Sequence, residues 1–109
     1  MSDQLSPQVI AGKLHFTLDE LAATIRVHRN TLRLHPEVAS VQTGLGEWKR
    51  VLDLLEWIIP DDGPRLAFHA RNTPIRVLEG RTIVEAVTAG QADKAARYLQ
   101  SLSAGANGG

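Results

Sequence analysis

From Ser40 onward, Val41, Leu45, Trp48, Leu52, Leu55 and Ile59 recur at intervals of four, three, four, three and four residues, the spacing of a heptad seam. The pattern predicts one helix of about twenty residues, the longest periodic stretch in a chain of 109. Val51 and Ile58 widen the stripe beyond a strict seam, which suits a core helix of a bundle as well as a helix facing a second copy. Gly44 and Gly46 fall in its first turns. Each costs about 1 kcal/mol against alanine there, so these turns either fray or pack very tightly. Trp57 lies off the stripe: exposed, it marks an interface; buried, it belongs to a cradle for the segments that follow.

Before this helix, Ser6-Pro7 pairs a capping residue with a proline at the first helical position and starts a short helix through Val9 and Ile10. Thr17 and Glu20 form a capping box, after which Leu18, Leu21, Ala22 and Ile25 recur at helical spacing. Arg26-Val27-His28 makes a tight turn with Val27 tucked inward, and Arg29 to His35 makes a second helix ended by Pro36. Helix, short turn with one aliphatic anchor, helix is the order of a helix-turn-helix. Laid in a major groove, the second helix would offer Arg29, Asn30, Thr31 and Arg33 to base edges, since arginine pairs with guanine and asparagine with adenine. Arg26 and His28 would sit nearer phosphates. The same pattern also describes a helical hairpin with a solvated polar face.

After it, Pro60-Asp61-Asp62-Gly63-Pro64 is the clearest boundary in the chain, with Asp62 as a capping candidate. Arg65 to Arg71 follows as a short helix, broken by Asn72-Thr73-Pro74. Thr82 and Glu85 form a second capping box for a helix that buries Ile83, Val84 and Val87 and stops at Gly90. Gln91 to Leu102 makes a last helix with Ala95, Ala96, Leu99 and Leu102 on one face. This half has too little apolar surface to be a core alone, so it leans on the rest of the chain or on another protein. Residues 103–109 lack side chains able to offset the entropy of ordering and are expected to be a flexible tail.

The run Arg71-Asn72-Thr73-Pro74-Ile75, then Glu79-Gly80-Arg81-Thr82, Glu85-Ala86-Val87, Gly90 and Tyr98-Leu99 resembles the C-terminal toxin-binding domain of the Xre/MbcA/ParS antitoxins. Val27 to Leu32 with Pro36, Val41 and Gln42 resembles the helix-turn-helix half of the same family. The two matches stand in order and cover roughly residues 15 to 102. The resemblance implies an all-α chain: residues 1–60 a DNA-binding helix-turn-helix with the long central helix, 61–102 a small helical toxin-binding domain. It implies an antitoxin encoded beside a RES-domain toxin that consumes NAD or transfers its ADP-ribose. The C-terminal domain would cover the toxin's active site, and the N-terminal half would repress the shared promoter. Phe68, Arg71, Pro74, Ile75, Arg81, Tyr98 and Leu102 then become toxin-facing or motif-shaping residues, as do Gly80 and Thr82. Arg71, Arg81 and Tyr98 are the residue types that dominate hot spots. The tail departs from relatives that end in aromatic or branched side chains and has no acidic side chain, which shifts weight from tail insertion to steric cover by the last two helices.

Twelve basic and twelve acidic residues cancel, so no overall positive field draws the chain to DNA, and a single copy would bind weakly. Specific recognition would call for a homodimer, or a higher complex with the toxin, on a two-fold symmetric operator. Cysteine is absent, His15, His28, His35 and His69 are scattered, and no phosphate loop or nucleophile elbow is present. No catalytic residue, metal site or cofactor is therefore expected, and His69 beside Ala67, Phe68 and Ala70 reads as a packed or interface histidine. No stretch is apolar enough to span a bilayer, so a cytoplasmic protein is expected. The alternative to an antitoxin is a stand-alone dimeric helix-turn-helix regulator whose C-terminal helices serve assembly alone.

Overall fold

The computed structural model describes residues 4–59 and 63–108, with side chains through residue 103. Among the described residues the fold is all-α, and its axis is the helix that the seam predicts, α4 (Ala39–Ile58, 20 residues). Val41, Leu45, Trp48, Val51, Leu52 and Leu55 on it are all at most 1% exposed. The seam thus faces the protein's own core rather than a second copy. Ile59 closes the helix, its N–H donating to the Leu55 carbonyl at 2.7 Å, and is half-buried.

Around this axis stand α1 (Pro7–Leu14), α2 (Leu18–Thr24) and α3 (Arg29–Leu34) on the N-terminal side. On the C-terminal side stand α5 (Gly63–Asn72), a single 3-10 turn (Arg76–Leu78), α6 (Ile83–Thr88) and α7 (Ala92–Gly108). The expected starts are met: the Ser6 hydroxyl caps α1, and both capping boxes close, Thr17 with Glu20 and Thr82 with Glu85, through pairs of bonds at 2.8 and 3.1 Å. Two helices run further than their sequence suggests. α5 begins at Gly63, two residues before Arg65; its expected cap Asp62 lies outside the described residues. α7 continues beyond Leu102 to Gly108, where a flexible tail was expected.

Three helix ends use the same closure, a left-handed residue flanked by two backbone bonds back into the last turn. At α6 the residue is Gly90 (φ 80°), as expected. At α1 it is His15 (φ 56°), with Phe16 N–H donating to the Ala11 carbonyl at 2.9 Å. At α2 it is Arg26 (φ 59°), with Val27 N–H donating to the Ala22 carbonyl at 3.1 Å. Side chains other than glycine adopt this conformation at a cost of roughly 1–2 kcal/mol, so His15 and Arg26 are held there by their surroundings.

The core crosses the Pro60–Pro64 boundary without a break. Leu14, Leu21 and Leu32 from the first half and Leu78, Ile83 and Leu99 from the second belong to one buried cluster around Trp48. α7 lies along α4, α5 packs on α1, and α6 touches α2. A polar chain runs through this interior: the Trp48 indole N–H donates to the Thr24 hydroxyl at 2.8 Å, which donates to the Leu21 carbonyl at 2.7 Å. Trp48 also meets Phe16 edge to face at 6.5 Å, and the Arg71 guanidinium sits 5.2 Å above the Phe16 ring.

Candidate functional site

The α2–α3 pair is held from beneath and open above. Leu21 and Ala22 bury α2, Leu32 alone anchors α3 at 0% exposure, and the half-buried Val27 packs against the core in the turn between them. The His28 Nδ1 accepts the Asn30 N–H at 3.1 Å and so caps α3. In the neutral ring that leaves the proton on Nε2, a donor still available to a ligand. Beyond the cap, Arg29, Asn30 and Arg33 are exposed and Thr31 is half-buried. Arg29 lies 3.5 Å from Asp19, a solvated ion pair of little energetic weight.

Arg26 differs from the expected phosphate contact. Its guanidinium donates to the Val87 and Thr88 carbonyls at 3.3 and 3.1 Å, so it caps the C-terminus of α6, where a cation meets the negative end of the helix dipole. The left-handed backbone at Arg26 aims the side chain across to α6 instead of outward from the turn. It belongs to the joint between the two halves.

The second set of residues is spread over the C-terminal half and only partly reaches the surface. Phe68 is 67% exposed and Leu102 41%, and Pro74 is exposed as well. Ile75 is buried at 5% and pairs with Arg81 as an isolated antiparallel bridge, its N–H donating to the Arg81 carbonyl at 3.0 Å, which turns the side chain into the core. Ile75 therefore shapes its turn and is not a contact residue. Gly80 (φ 81°) and the left-handed Glu79 (φ 62°) make that turn possible. Arg71 donates to the His15 carbonyl at 3.0 Å and approaches Glu20 at 3.9 Å, while Arg81 donates to the Gln91 side chain at 2.9 Å. Both arginines commit donors inside the chain. Tyr98 is half-buried against the core.

Phe68 stands between two depressions. On one side it shares an open groove of about 750 Å³ with Ile58, Ile59, Pro64 and His69; on the other, one of about 220 Å³ with His15 and Arg71. Burial against this groove holds the His69 imidazole below its usual range, so it stays neutral near pH 7. Trp57, at the end of α4 that leads into this region, is 65% exposed and is not part of a cradle for the segments that follow. Among the described residues no three His, Cys, Asp or Glu side chains converge on a metal site, and no helix is long and apolar enough to cross a membrane.

Sequence reasoning gave no structural role to Thr24, which it passed over, or to Gln42, which it read only as part of a motif. Thr24 carries no motif and is legible only once Trp48 is seen above it. Gln42 binds both the N–H and the carbonyl of Leu5 and the carbonyl of Pro36, pinning the N-terminal segment and the loop after α3 onto α4. Compared with protein-family models, with curated proteins and with solved structures, the chain matches none.

Proposed function

We propose that the α2–α3 pair is a helix-turn-helix that lays α3 in the major groove of DNA, and that the Phe68 face docks a partner protein. By the resemblance to the Xre/MbcA/ParS antitoxins, that partner is a RES-domain toxin and the DNA is the operator of the shared operon. The observation that carries the reading is α3 itself: one buried leucine fixes it, and Arg29, Asn30 and Arg33, the residue types that read and hold DNA, are all turned outward. The partner face is supported by the exposed Phe68, which lines an open groove with Ile58 and Ile59, and by the exposed Trp57 one residue before Ile58 in the chain.

The proposal has two arms, each with its own test. With duplex from upstream of the gene, Asn30→Ala is expected to change sequence preference, and Arg33→Ala to weaken binding across sequences with a salt slope smaller by about one. Binding to no duplex would end the DNA arm. Co-expression with the product of the adjacent gene should give a complex that suppresses growth arrest, and Phe68→Ala should weaken that complex at least tenfold, the loss typical of a buried aromatic anchor. Full suppression by Phe68→Ala would exclude this face as the docking surface.

The second reading, a regulator with no toxin, is favoured by one observation: Ile75, Arg71 and Arg81 all serve contacts within the chain. An adjacent gene product that neither co-purifies nor arrests growth would select it.

A further inference from the structure

Among the described large apolar side chains Leu34 is the most exposed, at 69%, more than Phe68 or Trp57. It is the last residue of α3, one helical turn beyond Asn30 and beside Arg33, so the three share a face. The fold has no use for it there. Leu32 supplies the apolar anchor of α3, and an exposed leucine adds nothing to stability. On the major-groove edges of DNA the 5-methyl group of thymine is the one apolar feature. Six helical residues rise about 9 Å, less than the groove's width of about 12 Å, so Leu34 enters the same groove as Asn30.

Resting on the DNA-binding reading above, we infer that Leu34 is a specificity-determining residue that packs on a thymine methyl next to the base pairs met by Asn30 and Arg33. The choice of DNA over a second copy follows from the company Leu34 keeps: its face is shared with an arginine and an asparagine, which suit a polyanion with donor and acceptor edges and would be costly to bury against a like face. The half-site therefore holds a required T·A pair that no hydrogen bond would explain.

The test selects sites from a randomised duplex pool with the full chain, then replaces each thymine of the selected site by deoxyuridine, which removes the methyl group and nothing else. Wild type is expected to lose affinity about fourfold at one thymine per half-site, the worth of one buried methyl. Leu34→Ser, checked for an unchanged melting curve, is expected to bind uracil and thymine equally there and to select sites with that pair relaxed and the others retained. Indifference of wild type to uracil at every position would overturn the inference, as would a uracil penalty that persists in Leu34→Ser. A shift of the free protein from dimer to monomer in Leu34→Ser, read by sedimentation, would overturn it too, by giving Leu34 to a second copy. Failure of wild type to enrich any sequence would instead remove the DNA-binding reading on which it stands.

Discussion

Two glycines two residues apart in α4 illustrate how the same sequence signal separates by environment. A Cβ on Gly44 would lie 2.6 Å from the Cβ of Ile25, an atom fixed to the backbone at the C-cap of α2, so the two segments would have to part. A Cβ on Gly46 would meet only Leu5 Cδ1 at 4.0 Å. Gly44→Ala is therefore expected to destabilise by about 1–3 kcal/mol through overpacking. Gly46→Ala should stabilise by about 1 kcal/mol through helix propensity. Equal shifts of the two urea midpoints would contradict the close approach of α4 to α2. From sequence both residues carried the same pair of readings, frayed turn or tight packing, and the sequence held no means of dividing them.

At the level of elements, helix starts were legible because their chemistry is local: Ser6, Thr17 and Thr82 each cap a helix that begins within a residue of them. Helix ends were legible only where glycine or proline marks them, at Gly90 and before Pro36 and Pro74. α1 and α2 end on His15 and Arg26, and the conformation at Arg26 is supported by a contact to α6, sixty-one residues away in sequence at Val87. This gives Arg26 a diagnostic pair of substitutions. Arg26→Gly loses the cap on α6 but relieves the left-handed backbone, whereas Arg26→Ala loses the cap and keeps the strain. Arg26→Ala is expected to be less stable than Arg26→Gly by about 1 kcal/mol, measured by thermal melting. The reverse order would mean that the backbone at Arg26 is not left-handed in solution.

For the molecule as a whole, the acidic proline-rich segment after α4 looks like a domain boundary, yet the buried cluster continues across it. α7 covers α4, α6 braces the α2 turn through Arg26, and Arg71 on α5 ties into the corner between α1 and α2. A chain ending at Ile59 would expose the faces of α4 and α2 that α6 and α7 cover. It is expected to lack a cooperative thermal transition, read by circular dichroism, and to bind no DNA in consequence. A cooperative melt and retained DNA binding would show instead that the N-terminal half folds as an independent unit.

The sequence by itself determined the helical class, the order of the helices, the starts of α1, α2 and α6, and the apolar stripe of α4, because capping and periodicity act over a few neighbouring residues. Only the tertiary structure decided which face of α4 was internal, that Ile75 points inward, and that Arg26 and Arg71 are struts where DNA and partner contacts were expected. Those outcomes depend on where a side chain finds its partner across the bundle. A long, flexible arginine carries no local mark of whether its donors will meet a carbonyl of its own chain or be left for another molecule.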